Sequence, residues 1–295
     1  MSQTWNRECD LESFVAFSLE EHEIPSCIWS EAALSIYGLP MSEESDLNST
    51  AWIIPDILLG VTCLVLHNKK FSLCVDRNCD LLSGHGFHPP PDMHIHVKPD
   101  SEHGGITHDL TFYRKSRVFW AFPDPPLGAP APDDPTYMLV TDARLPEHPD
   151  ERGRQPTGNY PVKILTPARY IEGTILLALR DLVGSANEFH WSSVVQHLWE
   201  LVADEENDLV TLDDLSGPFG EHMKHFGQYY FFKDLSIHEN GRKYIFEVHS
   251  KMKEFKKLPP AEVMNIANRH VSYGLPPGKW EGDSLYDGSD CFYFQ

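Results

Sequence analysis

The sequence predicts an α+β protein, a mixed sheet core followed by a mainly helical region. Three observations predict it. Up to about residue 165, short apolar or alternating runs are interleaved with short amphipathic stretches. Two irregular, proline-bearing stretches at 123–135 and 145–161 interrupt the chain late in that half. From Thr166 onward, apolar residues recur at spacings of three and four instead of two. A mixed α/β part first and a mostly helical part second is an α+β architecture, with expected regions 1–165 and 166–295 and an aromatic C-terminal tail.

Each element follows from its local pattern. Leu11, Phe14, Val15 and Leu19 mark a helix over 8–23, which Ile24-Pro25 ends. SCIWS reads as a short strand, and EAALSIYG as a short helix stopping at Gly38. A polar loop precedes the strand AWIIPDI, which Pro55 breaks. LLGVTCLVLHNKK reads as an apolar helix and FSLCV as a further strand. HPPPD is a stiff polyproline entry to MHIHVKP. There the period of two places Met93, Ile95 and Val97 on one strand face and His94 and His96 on the other. ITHDLTFY is its expected partner strand, SRVFWAF is expected to extend the sheet, and YMLVTD is a short strand between the irregular stretches. Thr166 and Pro167 open an amphipathic helix containing Ile171, Ile175, Leu176 and Leu179. SSVVQHLWELVADEEND is a second such helix. No internal repeat is visible.

The charge balance narrows the partners. There are 24 basic and 44 acidic side chains, a formal charge of −20. Neutralising phosphates needs a basic surface, so the expectation is no nucleic-acid partner and no anionic membrane surface. No apolar run approaches the roughly 20 residues that span a bilayer, and the N-terminus lacks a hydrophobic signal core. With 41% hydrophobic residues, a full core is within reach. The expectation is a cytoplasmic globular protein of open oligomeric state.

Six cysteines are scattered along the chain, which reads as free thiols and not as a disulfide scaffold. Cys74 and Cys79 are the one close pair, a zinc half-site without a second pair at zinc-finger spacing. His94 and His96 point the same way and can bind a metal if other ligands join them; His108 or Asp109 on the adjacent strand are candidates. No complete ligand set shows in the sequence, so the expectation is no metal and no cofactor. The most basic run is Tyr113-Arg114-Lys115-Ser116-Arg117. Arg144, Arg152 and Arg154 form a second patch, which reads either as functional or as paired internally with the many acids. Gly-x-Ser-x-Gly, GxGxxG and P-loop motifs are absent.

The layout EIPSCIWSEAALSIYGLPMSEESDLNSTAWII resembles the opening of the nucleotidyltransferase fold of small antibiotic- and toxin-modifying enzymes. IWSEAALSIYG lies where that fold has a glycine turn and short helix, and Asp46-Leu47-Asn48 where it has an Asp-x-Asp pair. HDLTFY, with Asp109, resembles the strand supplying a third carboxylate. VKILTPARYIEGTILLALRD resembles the first helix of the family's helical domain. The chain is also similar to a group of uncharacterised fungal proteins sharing patterns matched here by Arg152–Arg154 and Tyr160–Glu172. The resemblance spans roughly residues 8–185.

The departures change what it implies. Nucleotidyl transfer uses two divalent ions bridging carboxylates and a triphosphate. Asn48 is neutral, and Ser30 and Glu31 replace the turn glycines; Glu31 places negative charge where phosphate would sit. The reading is therefore a scaffold that has lost metal-triphosphate chemistry and binds a small organic substrate. Its concrete form is a cofactor-free cyclase or pericyclase of fungal secondary metabolism. Tyr113, Arg114, Lys115, His94 and His96 are the expected catalytic donors. Trp52, Trp120, Asp46, Asp109 and Glu31 are the expected substrate-binding residues. The alternatives are an active nucleotidyltransferase using Asp46 and Asp109, or a non-enzymatic interaction protein.

Overall fold

A computed structural model describes residues 7–39, 48–76, 78–83, 89–98, 105–147, 152–182, 188–203, 208–231 and 235–260. These residues fall into two compact units, with the change between Thr166 and Pro167.

The first unit opens with helix α1, Glu8–Glu20, whose buried stripe contains Leu11, Val15 and Leu19. It stops earlier than Pro25 requires. Glu23 takes a left-handed backbone conformation, and the Ile24 N–H returns to the Leu19 carbonyl, closing the helix end. Strand β1, Cys27–Trp29, leads directly into helix α2, Glu31–Ile36. Strand β2, Ser49–Ile54, is followed by helix α3, Leu59–Asn68, and the four-residue helix α4, Asp80–Ser83. Strands β3, Met93–Val97, and β4, His108–Arg114, then form the antiparallel pair their alternation predicts. After the short helix α5, Lys115–Val118, strands β5, Tyr137–Leu139, and β6, Lys163–Leu165, complete the unit.

The sheet is mixed, with order β3-β4-β2-β1-β6-β5. Strand β2 runs parallel to β4 and antiparallel to β1, and β1 runs parallel to β6. Its register puts Ile28, Trp52, Phe112 and Met93 in one lateral row, all buried. The neighbouring row, on the opposite face, is Trp29, Ala51, Thr111 and His94. Strand alternation therefore carries both histidines of β3 to the same face as Trp29.

Two strand expectations fail. FSLCV forms no strand; Leu73 makes only an isolated bridge to Ile95 on the outer side of β3. SRVFWAF does not extend the sheet. Its first residues turn into α5, where Phe119 packs edge-on to Trp29 at 5.6 Å. Burial of these aromatics is obtained by folding back on the sheet face, which overrides their β-propensity. Conversely, β6 is a strand inside a stretch read as leading to a helix. It completes its pairing on both sides, with β1 and β5.

The second unit contains α6, Pro167–Asp181, α7, Glu188–Ala203, α8, Phe219–Phe231, and α9, Leu235–Glu254. Ile171, Ile175 and Leu179 are buried along α6, and Trp191, Val195 and Leu198 along α7. Asp181 is fully buried and accepts hydrogen bonds from Arg180 and from the Trp191 indole N–H at 2.7 Å. A Cβ at Gly227 of α8 would lie 2.6 Å from the Trp199 ring, so glycine permits that close approach to α7. Among the described residues no helix is long and apolar enough to cross a membrane.

Candidate functional site

The polar end of the sheet is set by three adjacent strands. Asp109 lies opposite Ser49 on one side and His96 on the other. The Asp109 N–H donates to the Asn48 carbonyl at 2.7 Å, so Asn48 and Asp109 are neighbours at the mouth of β2 and β4. His96 Nδ1 lies 2.6 Å from Asp109 Oδ1. A carboxylate only accepts, so Nδ1 carries the proton, and in the neutral ring Nε2 holds the lone pair.

That Nε2 faces a sulfur. His96 Nε2 is 3.4 Å and His94 Nε2 3.2 Å from Cys79 Sγ. The two imidazoles are nearly perpendicular, with centroids 5.1 Å apart. Cys74 completes the group: one donor atom from each of Cys74, Cys79, His94 and His96 lies within 4.8 Å of every other. The sequence builds this locally. Cys74 is drawn to the edge of β3 by its N–H bonding the His94 carbonyl at 3.1 Å, beside the Leu73–Ile95 bridge. Cys79 sits one residue before α4, its N–H on the Asp76 carbonyl. His94 is completely buried, and burial, with His96 adjacent, pushes it down to about 4. Burial also pushes the Cys79 thiol up to about 11.

Cys74 and Cys79 therefore join His94 and His96 where the sequence reading looked to His108 or Asp109. Asp109 stands one step back, on His96. His108 is buried elsewhere, its Nε2 on the Thr50 hydroxyl at 2.7 Å. The five described cysteines, Cys9, Cys27, Cys63, Cys74 and Cys79, form no disulfide; Cys291 lies outside the described residues.

At the β1–α2 turn, Ser30 has φ 63° and ψ −151°. That backbone region suits glycine, so the chain bends here as a glycine turn does although a serine occupies it. Glu31 begins α2, partly exposed. Asp46 lies outside the described residues.

The remaining candidates lie elsewhere in the first unit. Trp52 is fully buried in the central row of the sheet. Tyr113 is buried edge-on to Trp29, with centroids 5.0 Å apart. Arg114 donates from its backbone N–H and from Nε to the carboxylate of Asp92, each at 2.9 Å, and Arg117 reaches the same carboxylate at 2.7 Å. Lys115 pairs with Asp124 at 3.2 Å. Trp120 is half-buried in the turn after α5. The second basic patch is internally paired: Arg144 with Asp142, Arg154 with Glu147, and Arg152 with Glu12.

The Arg152 pair lies inside a network that sequence reading missed. Glu12, fully buried on α1, accepts from Arg152, Gln155 and the Thr50 hydroxyl. A glutamate among Leu11 and Val15 gave the signal, an ionisable residue on a core stripe, but nothing in sequence named its partners, of which Arg152 is 140 and Gln155 143 residues away.

No family model matches the chain, and no curated protein matches it. Among solved structures the chain is similar to the crystal structure of an antigenic nucleotidyltransferase-like protein from Paracoccidioides brasiliensis. The match has 13% sequence identity and a TM-score of 0.39, and covers 89% of this chain and 97% of that one.

Proposed function

We propose that this chain is a binding protein on a nucleotidyltransferase-like scaffold that does not transfer nucleotides, its polar sheet end receiving a neutral or cationic small organic molecule. One observation carries the reading: Asp109, at the position of the third carboxylate, is engaged by His96 at 2.6 Å. Two further features support it. Asn48, beside Asp109, brings no charge to a divalent ion. Glu31 follows Ser30 at the turn where phosphate would need approaching N–H groups. A pair of magnesium ions does not fit a neutral Asn48 beside an Asp109 already engaged by His96.

Of the donors that the cyclase form expects, His94 and His96 sit together at the polar sheet end, and the other three are held by neighbours. Tyr113 is packed in the core, and Arg114 and Lys115 are committed to Asp92 and Asp124. Binding is the part of the reading that these contacts support, with Glu31 favouring a cationic or neutral partner over a triphosphate.

Incubation with labelled nucleoside triphosphates and Mg²⁺ tests the first half. No transfer is expected, and no heat when Mg·ATP is titrated into the chain. Native mass spectrometry of freshly purified protein tests the second half, where a co-purifying neutral or cationic organic molecule is expected. Label transfer that disappears in Asp109→Ala would overturn the proposal.

A further inference from the structure

The geometry points to a structural Zn²⁺ site formed by Cys74 Sγ, Cys79 Sγ, His94 Nε2 and His96 Nε2, with Asp109 as the outer carboxylate that fixes His96.

Four donors of this kind are a complete ligand set. Two thiolates and two imidazoles are the composition of closed tetrahedral zinc sites, and two thiolates balance the charge of the ion. The distances fit. Zinc bonds of about 2.3 Å to sulfur and about 2.0–2.1 Å to nitrogen, opened to a tetrahedral angle, separate S and N by about 3.5 Å. The two Cys79–histidine separations are 3.2 and 3.4 Å, and all four donors lie within 4.8 Å of one another. The His96 ring is already oriented for this role. Its Nδ1 is on Asp109, which leaves Nε2 facing the sulfur, the carboxylate–histidine arrangement that accompanies zinc ligands.

The site also has a structural task. Strand β3 is an edge of the sheet. The chain over 71–76 covers that edge with one isolated bridge and the Cys74 N–H bond, and 78–83 adds only the four-residue α4. That leaves little apolar burial to hold them, chiefly Phe71 and Leu82. An ion shared between Cys74, Cys79 and β3 ties this segment to the strand it covers. With four protein ligands the ion has no open position, so its role is structural and not hydrolytic.

The test uses the full chain, reduced and stripped of metal, titrated with Co²⁺ as a spectroscopic probe. One equivalent is expected to give a thiolate-to-cobalt charge-transfer band with tetrahedral d–d bands, displaced by one equivalent of Zn²⁺. Cys79→Ser and His94→Ala are expected to abolish the tetrahedral spectrum, and Cys63→Ser to preserve it. A second measurement needs no variant: Zn²⁺ is expected to protect Cys74 and Cys79 from alkylation in the wild-type chain, while Cys9 reacts as before. Absence of the cobalt spectrum, its survival in Cys79→Ser, or equal alkylation of Cys74 and Cys79 with and without Zn²⁺ would each overturn the site.

Discussion

His96 and Asp109 face each other across the β3–β4 pair, with Nδ1 and Oδ1 2.6 Å apart. That contact decides what each group does. The carboxylate is occupied as a hydrogen-bond acceptor, and the imidazole presents its other nitrogen to Cys79. Replacing Asp109 with Asn keeps the shape but lets the ring reorient. The expected result is a zinc affinity lower by about 10- to 100-fold, with the far-ultraviolet circular dichroism unchanged. Competition against a chromophoric chelator reads it. An unchanged affinity would remove Asp109 from the outer shell.

Arg152 and Glu12 give a second expectation, on stability. Glu12 is fully buried, and Arg152 is its one charged partner among the described contacts. Removing the arginine leaves an uncompensated buried carboxylate, so Arg152→Ala should cost about 3–5 kcal/mol in urea unfolding. Arg154→Ala breaks a pair with the exposed Glu147 and should cost less than about 1 kcal/mol. Similar costs for the two would show that burial is not what distinguishes them.

His108 is one of the buried histidines that set the pH dependence, with His94 and His222 acting in the same direction. Burial, with Arg152 nearby, pushes the His108 imidazole down to about 4 from an ordinary 6.5. Between those values the unfolded chain binds a proton that the folded chain does not. This contribution to stability is therefore full above pH 6.5 and is lost as pH falls towards 4, on the order of 3 kcal/mol. Urea midpoints at pH 7, 5.5 and 4.5 should fall in that order, with a shallower decline in His108→Gln.

Trp52 and Trp120 separate a fully buried position from a half-buried one. Trp52 is fully buried between Ile28 and Phe112, so Trp52→Ala should cost about 3–5 kcal/mol. The Trp52 indole N–H has no hydrogen-bond partner among the described residues. Trp52→Phe should therefore be milder than its loss of volume alone suggests. Trp120 is half-buried, and its replacement by Ala should cost less than that of Trp52. Denaturant unfolding of the three variants checks the order.

Local pattern made much of this fold legible. The alternation of Met93–Val97 correctly put His94 and His96 on one face, and Thr166-Pro167 marked the start of α6. What stayed hidden depends on tertiary packing. SRVFWAF has strand-forming residues, yet burying Phe119 against Trp29 required a turn. The pairing of Arg152 with an internal acid was readable as a class, but not that the acid is Glu12. The Cys74–Cys79 spacing and the His-x-His pair were both visible; that they meet depends on the chain over 71–76 returning along the outer edge of β3. No sequence period reports a single isolated bridge.

The most direct measurement is diffraction at the zinc absorption edge from crystals grown with both Zn²⁺ and Mg·ATP. The expected map has one anomalous peak bounded by Cys74, Cys79, His94 and His96, the Asp109 carboxylate on His96 Nδ1, and no nucleotide beside it. A nucleotide whose magnesium is bound by Asp109, with no anomalous peak at the four donors, would contradict it.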